Sequence, residues 1–175
     1  MKRNVSLSLL MIGFAALATA QVPQSSSPGP ERILQAQRNQ KLVEKLVAGG
    51  LNLARAADRL DRAKYCNDLA RSLAEEIKQA ADDHDGDRAI ELGRHLQDLL
   101  KNGVAANLNK ERSQFPQGSA RETDWTRIRD ESDRITAPLI TDLAEAMKDN
   151  PVALNQVLEV IQEAKASFTR TDQNR

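Results

Sequence analysis

The chain has 175 residues and balances 25 Lys plus Arg against 25 Asp plus Glu. It therefore lacks the basic field that drives counterion release, and nucleic acid is excluded as an expected partner. Beyond residue 20 only Tyr65, Phe115, Trp125 and Phe168 are aromatic, too few for a base-stacking or sugar-stacking platform.

The first twenty residues predict export. Lys2 and Arg3 make a basic start, Leu7 to Leu17 is an apolar run interrupted by Ser8 and Gly13, and Ala18-Thr19-Ala20 supplies small residues for cleavage before Gln21. The apolar run is shorter than the ~20 residues a helix needs to cross a bilayer. Gln21 stands where a lipid-modified amino terminus would need cysteine. Residues 1–20 are thus expected to be a signal peptide, and the mature chain a periplasmic or secreted protein with no integral membrane segment. It would carry 23 cationic against 25 acidic side chains. Residues 21–30, with three prolines and almost nothing to bury, read as a flexible linker.

From Glu31 the pattern is helical. Ile33, Leu34, Gln37, Leu42, Val43, Leu46 and Val47 show an imperfect helical spacing, and Gly49-Gly50 predicts a kink or short turn. Leu53, Ala56, Leu60, Ala63, Asn67, Ala70, Ala74, Ile77 and Ala81 then recur at steps of three and four, flanked by Leu69 and Leu73. That stripe predicts one helix from Leu51 to about Asp83, roughly 50 Å long. His84-Asp85-Gly86 closes it, with Gly86 supplying turn geometry and Asp85 or Asp87 capping the next helix. This next helix runs to about Arg112 through Ala89, Ile90, Leu92, Leu96, Leu100, Val104 and Leu108, so a long antiparallel hairpin is expected. Ser113 to Thr123 reads as a loop. A helix from Asp124 to about Asp149 follows, kinked or split near Thr136 by Pro138. Asn150-Pro151 starts the last helix, which ends in a polar tail at 169–175. The expected fold is all-α, a mostly antiparallel bundle of four to five helices in one domain, residues 31–168.

Asp82-Asp83-His84-Asp85-Gly86-Asp87 is the densest group of oxygen ligands, and Asp83, Asp85 and Asp87 are the candidate metal ligands because they alternate as a calcium loop does. In that register Arg88 stands where glycine is needed and Arg94 where a bidentate glutamate is needed. His95 follows Glu91 by four residues, a spacing that suits a surface pair. Cys66 is the one cysteine, so no internal disulfide can form; half-buried packing or an interchain disulfide are its two readings. Nucleophile-elbow, Ser-x-x-Lys and glycine-rich phosphate motifs are absent, so no enzyme activity and no cofactor are expected. These observations lead to an exported, non-enzymatic interaction module of the bacterial envelope or secretome. Its partner would be a protein or a second copy, docked on a helix face such as an uncovered end of the Leu51 to Asp83 stripe. The alternative is an extracytoplasmic metal or small-ligand sensor using residues 82–87.

Overall fold

A computed structural model describes residues 30–112 and 115–169. The expected leader, the linker up to Gly29 and the tail from Arg170 lie outside the described residues. The elements are α1 (Pro30–Arg55), α2 (Arg59–Asp82), α3 (Gly86–Asp98), a π-helical segment (Leu99–Ala105), α4 (Ala106–Glu111), α5 (Ala120–Ala146) and α6 (Pro151–Thr169). α3, the π segment and α4 form one rod, so five rods make an all-α bundle.

α2 is the central rod because its sequence is apolar over a wide arc. Leu60, Ala63, Cys66, Ala70, Leu73, Ile77, Ala80 and Ala81 are all buried. The small alanines let neighbours approach on several sides, and α2 packs against α1, α3, the π segment, α4 and α5. Each fully buried Leu or Ile contributes on the order of 1.5–3 kcal/mol relative to exposure. α3 and α6 close the other side of the core through Leu96, Val157 and Ile161. Directions follow from the contacts. α2 runs antiparallel to α1 and α3, but parallel to α5, since Asn67 meets Ile128, Arg71 meets Glu131 and Lys78 meets Asp142. α3 likewise runs parallel to α6, with Gly86 against Ala153 and Gly93 against Val157.

Two expectations about the first half of the chain are corrected. Helix α1 runs unbroken through Gly49-Gly50, and the break falls instead at Ala56 to Asp58. The Asp58 carboxylate accepts from the Leu60 N–H at 2.7 Å and starts α2, while the Arg62 side chain donates to the Ala56 carbonyl at 2.8 Å and closes α1. A capping Asp offers the backbone an alternative to continued helix, whereas glycine only removes ~1 kcal/mol of propensity. The single helix from Leu51 to Asp83 is therefore two helices folded back on each other.

Later elements differ in detail. Pro138 lies inside α5 and does not split it; the residue is exposed, so the helix loses one hydrogen bond on its wet side. Ser119 accepts from the Glu122 N–H at 3.2 Å, which starts α5 at Ala120 rather than Asp124 and shortens the loop. Left-handed geometry in the α2–α3 turn belongs to His84 (φ 60°). Gly86 is needed for packing: a Cβ there would stand 2.9 Å from the Ala153 Cβ. Asp85 caps α3 through the Arg88 N–H at 3.1 Å, and Asn150 caps α6 through the Ala153 N–H at 3.2 Å.

The π segment has a packing reason. Leu92, Leu96, Leu100, Val104 and Leu108 are all buried and recur every fourth residue. In an α-helix a step of four drifts by about 40° each time. A π-helical turn holds more residues and returns the line to the core. Across from it, Asn67 is fully buried in the apolar stripe of α2. Its amide donates to the Ile128 carbonyl and its oxygen accepts from the Ser132 hydroxyl, each at 2.8 Å, which pins α2 to α5 in register.

Candidate functional site

Helix α1 is attached to the bundle along one side. Leu42 is buried, Leu46 and Leu53 are partly buried, and Gly49 admits the Leu69 side chain so closely that a Cβ there would overlap Leu69 Cδ2. Two ion pairs to α2 flank this seam, Arg38 with Asp83 at 2.6 Å and Lys45 with Glu75 at 3.3 Å. Both are well exposed and contribute little on their own.

The other side of α1 is apolar as well. At 100° per residue, Ile33, Val43, Val47 and Leu51 fall within an arc of about 80°. Their exposures are 46%, 56%, 57% and 54%. Leu34 is also exposed, and Val152 is the one other large hydrophobic side chain this open among the described residues. Exposed apolar side chains scattered singly need no explanation, whereas several gathered on one helix face make a candidate contact surface. The uncovered face therefore lies on α1, while the α2 stripe, expected to have an uncovered end, is packed by α1, α5 and the rod made of α3, the π segment and α4. The doublets Ile33-Leu34, Leu42-Val43 and Leu46-Val47 carried this signal, since adjacent apolar residues on a helix serve two faces 100° apart.

The acidic turn is occupied by folding tasks. The Asp83 carboxylate takes the Arg38 guanidinium and the Gln79 amide, Asp85 caps α3, and Asp87 is exposed in the first turn of α3. Among the described residues no three His, Cys, Asp or Glu side chains are gathered in a way that could hold a metal ion. His84 is exposed on the turn; Glu91 and His95 are both exposed on α3, with no hydrogen bond or ion pair between them among the described residues.

Cys66 is 1% exposed, more deeply set than half-buried packing implies. Burial pushes its thiol up to about 11, so the protonated form dominates at neutral pH. At the end of the bundle away from the acidic turn, Trp125 donates its indole N–H to the Leu108 carbonyl at 2.9 Å, and the Arg112 and Arg129 guanidiniums lie over its ring at 5.4 and 5.3 Å. Near it, Glu111 is buried between Arg59 and Arg121, and Arg121 also pairs with Asp58. This network ties the α1–α2 turn to the ends of α4 and α5.

No described helix is long and apolar enough to cross a membrane. The chain matches no protein-family model, no curated protein and no solved structure.

Proposed function

We propose that the chain is an exported, non-enzymatic interaction module of the bacterial envelope or secretome, docking a protein partner or a second copy on the outer face of α1. The carrying observation is the stripe Ile33, Val43, Val47 and Leu51, four large apolar side chains about half exposed on one helix face. The chemistry-bearing groups support the same reading. The thiol is buried and protonated, and the two histidines stand on an exposed turn and an exposed helix surface. Export rests on the basic, apolar and small-residue segments of residues 1–20.

Light scattering on the mature protein, together with a pull-down from source-cell envelope extract, tests the proposal against the double variant Val43→Glu with Val47→Glu. Both positions are exposed, so the variant should melt within a few degrees of wild type. Wild type is expected to self-associate or to retain a discrete partner, and the variant to do neither. A monomeric wild type that retains nothing the variant loses contradicts the proposal.

A further inference from the structure

A second helix-sized face lies between α2 and α5, on a groove of about 640 Å³ that α1 does not cover. Its walls carry cations at heptad spacing: Lys64, Arg71 and Lys78 on α2, and Arg127 and Arg134 on α5. Seven residues of helix rise about 10.5 Å. Because α2 and α5 are parallel, with Asn67 on Ile128, Arg71 on Glu131 and Lys78 on Asp142, Lys64 stands near the level of Arg127, and Arg134 lies about one turn beyond Arg71.

The acids of this face are already engaged. Glu131 takes Arg71, Asp142 takes Lys78, Asp124 takes Arg127, and Glu75 takes Lys45 of α1. Lys64 and Arg134, both exposed, have no ion-pair or hydrogen-bond partner among the described residues. The groove floor is apolar at Ile128, Ile135, Leu139 and Ala74.

The same molecule shows how it seats a helix. α1 lies on α2 with two cations seven residues apart, Arg38 and Lys45, set on the acids Asp83 and Glu75. The α2–α5 groove is that arrangement with the signs exchanged. We propose that it receives an amphipathic helix of a partner protein whose polar flank carries Asp or Glu at heptad spacing. The occupant is not a segment of this chain. Residues 1–29 contain no Asp or Glu, residues 170–175 contain Asp172 between two arginines, and α1 itself has five cations against two acids. A second copy's α1 would bring like charge to like charge.

This proposal is independent of the α1 surface, and its test separates the two. Fluorescence anisotropy on the mature protein uses a labelled 21-residue (about six turns) helical peptide with Leu and Ala on one face and Glu at heptad flanking positions, beside its Lys-flanked counterpart. The Glu peptide is expected to bind at least tenfold tighter than the Lys peptide and to weaken as salt rises. The exposed double variant Lys64→Glu with Arg134→Glu is expected to lose at least tenfold for the Glu peptide at unchanged thermal stability. Val43→Glu with Val47→Glu on α1 is expected to bind it as wild type does. Equal binding of the two peptides, undiminished binding to the Lys64→Glu, Arg134→Glu variant, or loss of binding in the α1 variant would each overturn the groove assignment.

Discussion

At the scale of single residues, the Cys66–Gly103 contact shows most clearly how sequence choice and packing are tied. A Cβ at position 103 would stand 2.7 Å from Cys66 Sγ, inside any tolerable contact, and the thiol has buried helix on its other sides. Gly103→Ala should therefore cost ~1–3 kcal/mol by overpacking. Combining it with Cys66→Ala should recover much of that loss, so a urea-denaturation double-mutant cycle should return a favourable coupling; additive losses would refute the contact. The same thiol gives a pH prediction. Its ordinary value of 9.0 rises to about 11 in the fold, so the native state keeps a proton that the unfolded state sheds. Its contribution is full below pH 9 and is lost as pH climbs toward 11. Stability curves of wild type and Cys66→Ala should converge over that interval, and native Cys66 should resist alkylation at neutral pH. Neither property was legible in the sequence, where Cys66 read as half-buried, because depth depends on the π segment of another helix.

At the scale of elements, the breaks between helices were governed by capping side chains more than by glycine. Gly49-Gly50 looked like a turn and is instead a close-packing site, while Asp58, one acid among many in the sequence, ends the continuity of the long stripe. Periodicity could not separate these cases, because α1 and α2 both turn apolar residues inward and the stripe reads through the break. The cores of the elements were legible: Leu60, Ala63, Asn67, Ala70, Ile77 and Ala81, all in the expected stripe, are buried. The fourfold spacing from Leu92 to Leu108 was visible too, although its meaning, a π turn, required the neighbouring rods. Gly49 gives the element-scale prediction. In Gly49→Val the new side chain collides with Leu69, so α1 should lift from α2. Hydrogen exchange should accelerate across residues 30–55 while α2, α5 and α6 stay protected. Leu69→Ala in the same chain should restore part of the protection. Uniform loss across all helices would show that α1 is integral to the core rather than seated on it.

At the scale of the whole molecule, the bundle has a closed core and an open periphery. The core is satisfied: among the described residues no buried side-chain polar atom lacks a hydrogen-bond partner, and Asn67 with Ser132 sets the register of the parallel pair. The parallel α2–α5 neighbours are not readable from the sequence, since a mostly antiparallel reading follows from short connections and the α4 to α5 connection is the longest between described helices. Charge is also unevenly placed. α1 carries five cations and two acids, while residues 56–175 hold 18 cations against 23 acids. The molecule is thus a cationic helix with an apolar outer stripe, laid on an acidic body.

That feature is tested most directly by photo-crosslinking at its middle. Mature protein carrying a benzoylphenylalanine at position 47, and a matched control carrying it at exposed position 101, are irradiated alone and in source-cell envelope extract. A discrete adduct from position 47, either a dimer or a single partner, is expected, and none from position 101. Equal labelling from both positions, or no adduct from position 47 in either setting, would contradict docking on the outer face of α1.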